Sequence, residues 1–155
     1  MQIELRNYQT ECVQRVVSAY EQDKQGRELL VLPTGSGKTV IFCQVIQLLS
    51  ERHGINTLIV AHRDELLDQA ADKYRMVKPN AIIGKVGSGL HQYGGEVTVA
   101  SIATIQRPEH IKRLKAIGYG LIIIDEAHHV AAAGYQAVLE ALPDAFVLMV
   151  TATED

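Results

Sequence analysis

The sequence predicts an α/β domain: a mostly parallel sheet with helices on both faces. Two observations lead there. The apolar runs "ELLVL", "NTLIVA", "LIIID" and "FVLMV" are continuous rather than alternating, as in strands covered on both faces. Between them lie longer segments with apolar residues at helical spacing. Strand–helix alternation of this kind builds a parallel sheet flanked by helices.

The elements follow in order. Tyr8, Cys12, Val13, Val16, Val17 and Tyr20 recur at helical spacing and predict an amphipathic helix over about 7–22. "ELLVL" (28–32) stops at Pro33 and reads as a buried strand. "TVIFCQVIQLLSER" (39–52) is helical, and Gly54 ends it. "NTLIVA" (56–61) is a second buried strand. "RDELLDQAADKYR" (63–75) is a helix whose first-turn acids suit its dipole. "AIIGKV" (81–86) and "EVTVA" (96–100) are strands around a loop from Gly87 to Gly95. "SIATIQR" begins another helical turn. "LIIID" (121–125) and "FVLMV" (146–150) are the last strands, with helical "YQAVLEAL" (135–142) between them.

At 155 residues and 47% hydrophobic, the chain suits one domain and is too apolar for disorder. A domain of this size buries roughly 70% of its unfolded surface and needs no disulfide or metal staple. Cys12 and Cys43 read as buried free thiols of a reducing, cytoplasmic protein. No apolar run reaches the ~20 residues of a membrane span, and "MQIELRNYQT" lacks the regions of a signal peptide. The net charge of −3 excludes a grossly basic nucleic-acid coat but not a local phosphate-binding groove.

In parallel sheets ligands bind beyond the carboxyl ends of the strands. That rule puts Pro33–Thr39, Ala61–Arg63, Ala100–Ser101, Asp125–His128 and Thr151–Thr153 along one rim. "LPTGSGKT" (32–39) stands between a strand and a helix, the context of a phosphate loop. Pro33, Thr34, Gly35, Ser36, Gly37, Lys38 and Thr39 form it. Its glycines let backbone N–H groups turn inward on an anion, and the helix adds its positive end. Lys38 reaches the β- and γ-phosphates of ATP, and the Thr39 hydroxyl can ligate Mg²⁺. Leu32 stands where a first glycine is usual.

"LIIIDEAHHV" (121–130) ends the most hydrophobic run in a cluster of titratable groups. A buried strand has no use for adjacent carboxylates, so this one delivers Asp125 and Glu126 to a site. Mg²⁺ takes one or two protein carboxylates, and Asp125 at the strand end suits it. Glu126, one residue on, can orient and deprotonate a water facing the γ-phosphate. Alone, the pair would equally suit a helix N-terminus; the phosphate loop upstream decides for the site.

These motifs make the resemblance specific. With "LRNYQ", "LPTGSGKT", "DEAHH" and "TAT" in order, the chain resembles the first motor domain of a superfamily 2 DEAD/DEAH-box helicase. It is most similar to the branch of type III restriction-enzyme helicase subunits and related DNA-repair helicases. The resemblance covers nearly the whole chain and implies a RecA-like P-loop NTPase fold. It also implies an ATP-dependent helicase that hydrolyses ATP with Mg²⁺ to move along or unwind DNA or RNA, DNA being favoured by the branch.

It implies site roles as well. Gln9 matches the residue that reads adenine, with Arg6 against the base; on the residues alone, Gln9 would be an ordinary solvated helix position. His62 and Arg63, in "VAHRDEL", match a motif that grips one strand by its backbone. Ser101 and Thr104 match a second such motif, though a helix cap explains them as well. Thr151 and Thr153 match the motif coupling nucleotide to strand movement, with His128 as a hydrogen-bond partner. The usual proline is replaced by Glu154 and Asp155. His129 has no role assigned, and His53, His91 and His110 read as solvated surface residues. No cysteine–histidine spacing suggests zinc.

Nothing resembles the second motor domain, so the expectation is half of a two-domain motor, nearly inactive alone. Three other readings stay open: a duplex translocase or restriction or remodelling subunit that does not unwind, a non-catalytic nucleotide-gated module, and an unrelated phosphoryl-transfer enzyme.

Overall fold

A computed structural model describes residues 5–33, 37–127 and 132–152. The chain runs α1 (Asn7–Gln22), β1 (Arg27–Leu32), α2 (Lys38–His53), β2 (Thr57–Ala61) and α3 (Asp64–Val77). It continues through β3 (Ile83–Gly87), β4 (Leu90–His91), β5 (Val97–Ser101), α4 (Ile102–Ile105) and α5 (Pro108–Ile117), then β6 (Leu121–Asp125), α6 (Ala133–Ala141) and β7 (Phe146–Ala152). Gly54 ends α2 at φ 65°, a left-handed turn that glycine adopts without a Cβ penalty.

The described residues form a seven-stranded sheet in the order β1-β7-β6-β2-β5-β3-β4. Every pairing is parallel except β3 with β4. The period of two along each strand divides its aliphatics between two cores. Ile59, Ile123 and Leu148 face one core, with Val16, Phe42, Ile46 and Tyr74 from α1, α2 and α3. Leu58, Val60, Ile122 and Ile124 face the other, with Ile105, Leu114 and Val138 from α4, α5 and α6. Three of the described helices thus cover each face, which is why the central runs are apolar throughout.

Four expectations need correction. β1 is not buried on both faces: it is an edge strand, and Leu29 and Val31 are 53% and 49% exposed while Leu30 and Leu32 are buried. Helix α5 stands where no element was expected. Pro108 fits its first position, Ile111 and Leu114 pack toward the core, and Gly118 ends it. Of the two thiols, only Cys43 is buried; Cys12 is half-buried. His110 is not solvated but 3% exposed, because α5 turns it under Tyr93. Among the described residues, no helix is long and apolar enough to cross a membrane.

Candidate functional site

Gly37 opens α2 in the left-handed region, φ 79° and ψ 39°, and its carbonyl accepts the Ile41 N–H at 3.1 Å. Lys38, the first helical residue, donates to Asp125 Oδ1 at 2.7 Å. Asp125 ends β6, and its side chain is 3% exposed. The lysine spans β7 to reach it, since β7 lies between β1 and β6. Thr39 follows in α2, half-buried, and Pro33 is exposed just beyond β1. Thr34, Gly35, Ser36, His128 and Thr153 lie outside the described residues.

Gln9 belongs to this corner rather than to solvent. It is 4% exposed, and its Oε1 accepts the Arg6 N–H at 2.9 Å. A Cβ at Gly37 would lie 2.4 Å from Gln9 Nε2, so the amide rests directly on the opening residue of α2. The Arg6 guanidinium lies over the Tyr8 ring, 5.7 Å from its centroid.

Glu126 has φ 57°, a left-handed backbone that costs a non-glycine residue about 1–2 kcal/mol. In this conformation its N–H donates to Asp125 Oδ1 at 2.9 Å. Its carboxylate meets the end of β2: Arg63 donates to Oε1 at 2.8 Å, and His62 Nε2 lies 3.6 Å from Oε2. Sheet register dictates this meeting. β2 and β6 pair in parallel with Val60 opposite Ile124, so the residues just past Ala61 and Asp125 emerge side by side.

On the other side of β2, Ala61 is paired with Ser101, the last residue of β5. Ser101 is buried and precedes α4, yet its hydroxyl makes no cap bond there. Thr104, inside α4, is half-buried. Thr151 sits on β7 opposite Val31 and is half-buried. The rim therefore has two halves. Lys38, Asp125, Gln9 and Thr151 lie by the ends of β1, β7 and β6, and Ser101 and Thr104 lie by the end of β5. His62 and Arg63 stand at the border and touch Glu126 across it.

Residues 2–155 match the family described as type III restriction enzyme, res subunit. The chain belongs to this family. It is 34% identical over 145 residues to irc3 of Schizosaccharomyces pombe, a candidate mitochondrial ATP-dependent helicase. That alignment takes in 89% of this chain and 23% of the relative. It is 32% identical over 158 residues to the DNA 3'-5' translocase XPB2 of Sulfurisphaera tokodaii, covering 99% of this chain and 31% of that protein. The chain thus spans under a third of the length of either. The UvsW helicase of bacteriophage T4 shares the fold, with a TM-score of 0.75 at 22% identity over 96% of this chain and 52% of that one. Within that family this chain has a RecA-like α/β fold.

The sequence did not signal Tyr135. This α6 residue is 3% exposed, and its hydroxyl has no hydrogen-bond partner among the described residues. Burial first, then the charges of Asp125 and Glu126, push its ionisation up to about 12. It keeps its proton and lies close enough to feel both carboxylates. Tyrosine in an amphipathic helix reads as core, so nothing in the pattern marks it.

Proposed function

We propose that the full-length protein is an ATP-dependent motor that acts on nucleic acid, and that this chain is its first ATP-binding domain. A second RecA-like domain of the same protein completes the site. The observation that carries the proposal is the Lys38–Asp125 pair at the strand ends, its carboxylate buried, with Glu126 one residue on.

The residues fit ATP with Mg²⁺. A hard cation takes oxygen ligands, and Asp125 and the Thr39 hydroxyl would hold it. The same carboxylate accepts a hydrogen bond from the Lys38 ammonium. An ion held there would supply charge neutralisation to the phosphates. Lys38 exchanges Asp125 for phosphate oxygens, and Pro33, Thr34, Gly35, Ser36 and Gly37 wrap them. Gln9, with Arg6 beside it, offers the adenine edge one donor and one acceptor. Glu126 accepts the proton of the attacking water.

Arg63, His62, Ser101 and Thr104 form half of a strand track, gripping backbone phosphates. Such contacts position a strand without reading its sequence. DNA rather than RNA is the preferred strand, supported by the DNA translocase named among the relatives. Thr151, with Thr153 and His128, couples the two halves of the rim. A reducing, cytoplasm-like compartment suits Cys43, whose thiol burial pushes up to about 12.

The test is ATP hydrolysis by the full-length protein with single-stranded DNA, duplex DNA or RNA. Lys38→Ala should lose ATP affinity in a calorimetric titration. Glu126→Gln should keep that affinity and lower kcat by about 10²–10⁴. Parental turnover by Glu126→Gln would reassign the base, and failure of every nucleic acid to stimulate would sink the motor.

A further inference from the structure

We propose that Arg63 is an interlock between the two halves of the rim. Without a strand it holds Glu126, and the phosphate of a bound strand draws it away and frees the carboxylate. The inference rests on the reading of Glu126 as the base and Arg63 as a phosphate contact.

The geometry supplies each part. The β2–β6 register brings Arg63 and Glu126 out side by side, so their contact follows from the sheet rather than from a chance surface pairing. Both carboxylate oxygens face that border: Oε1 accepts from Arg63 at 2.8 Å and Oε2 lies 3.6 Å from His62 Nε2. Glu126 makes these contacts from a left-handed backbone, φ 57°. A general base must turn an oxygen to water at about 2.6–3.2 Å. Here one oxygen is committed to a guanidinium and the other is turned toward β2.

The Arg63 side of the pair is built to be released. Its side chain is 52% exposed, and it contacts Glu126 through one nitrogen of a group with five donors. An ion pair open to solvent on the arginine side is weak and easily exchanged. Arg63 is also the N-cap of α3, where backbone N–H groups and the helix dipole favour an anion. A phosphate arriving there offers the guanidinium a second carboxylate-like partner, present only when a strand is bound. That difference between states is what a ligand needs to shift an equilibrium. Ser101, paired with Ala61 on the far side of β2, puts the rest of the proposed track beside it.

A fixed prop would behave oppositely. If Arg63 only oriented Glu126 for catalysis, removing it would slow hydrolysis with and without a strand.

The experiment uses the full-length protein and the variants Arg63→Gln, Arg63→Lys and Glu126→Gln. Two quantities are read: steady-state ATP hydrolysis with and without saturating single-stranded DNA, and binding of a fluorescent oligonucleotide by anisotropy. Arg63→Gln should raise the DNA-free kcat about two- to fivefold, the scale of one exposed ion pair. KM for ATP should not move. The oligonucleotide should bind more weakly, and the ratio of stimulated to unstimulated rate should fall. Arg63→Lys, which keeps the charge at a single point of contact, should lie between. A DNA-free kcat at or below the parental value overturns the interlock, as does unchanged oligonucleotide affinity. If Arg63→Gln melts early, Arg63→Lys decides on the same readouts. Parental hydrolysis by Glu126→Gln would instead remove the base assignment beneath the inference, a failure separable from that of Arg63.

Discussion

Lys38 Nζ lies 2.7 Å from Asp125 Oδ1, and the carboxylate is 3% exposed while the lysine side chain is 24% exposed. The pair has a structural consequence. Removing one member of a buried pair strands the other, at about 3–5 kcal/mol. Solvent reaches the lysine end, so Lys38→Met should cost less, about 1–3 kcal/mol. Asp125→Asn added to Lys38→Met should recover part of that loss, because the amide carries no charge to strand. Urea unfolding of the 155-residue chain measures both. A double variant less stable than Lys38→Met alone would contradict the account.

Gly37 and Gln9 make a second testable contact. Alanine at Gly37 must adopt φ 79°, which costs about 1–2 kcal/mol. Its Cβ would also stand 2.4 Å from Gln9 Nε2. The amide is the end of a flexible side chain, so it would move rather than break the fold, giving up its bond from the Arg6 N–H. Gly37→Ala should therefore destabilise by about 1–2 kcal/mol, mostly from backbone. On the proposed adenine-reading role of Gln9, it should also weaken discrimination of ATP from GTP in nucleotide titrations. Gln9→Ala in the Gly37→Ala background should restore little stability, because it relieves the contact and not the φ.

What the sequence disclosed and what it hid have physical reasons. "NTLIVA" and "LIIID" were readable as buried strands because helices cover both of their faces. "ELLVL" carries the same signal, yet Leu29 and Val31 are exposed, since composition does not say which strand lies at an edge. The rim followed from one rule about strand ends. The neighbours across it did not, because they depend on strand order. Arg63 and Glu126 are 63 residues apart, and only the β2–β6 pairing brings them together. His110 was misread for a similar reason. Its helix was not foreseen, so neither was the side of that helix that packs inward.

His110 also sets a pH dependence. Burial first, then the charge of His91, hold its basicity below the ordinary histidine value of 6.5. Arg107 and Arg113 act in the same direction, and Glu109 opposes them. The Tyr93 hydroxyl lies against Nδ1, the His91 ring stands edge-on at 4.9 Å, and Arg113 covers the Tyr93 ring at 4.3 Å. Burial holds the Tyr93 hydroxyl up to about 12, so it keeps its proton throughout the range concerned. The sign follows from proton counts. As pH falls through about 6.5, the unfolded chain takes up a proton at this residue before the folded one does. The unfolded state is then favoured, and stability drops until pH passes below the native value. Above that window His110 is neutral in both states and contributes no slope. The unfolding free energy of the chain should therefore decline from about pH 7 downward, by at most about 1.4 kcal/mol per pH unit from this group. His110→Gln should cost stability at neutral pH, where it disturbs a buried site, and should flatten the slope below it. His91→Asn should flatten the slope partly, by removing the neighbouring positive charge. Urea unfolding across about pH 5.5–7.5 gives both curves, and a His110→Gln slope equal to the parental one would place the titrating group elsewhere.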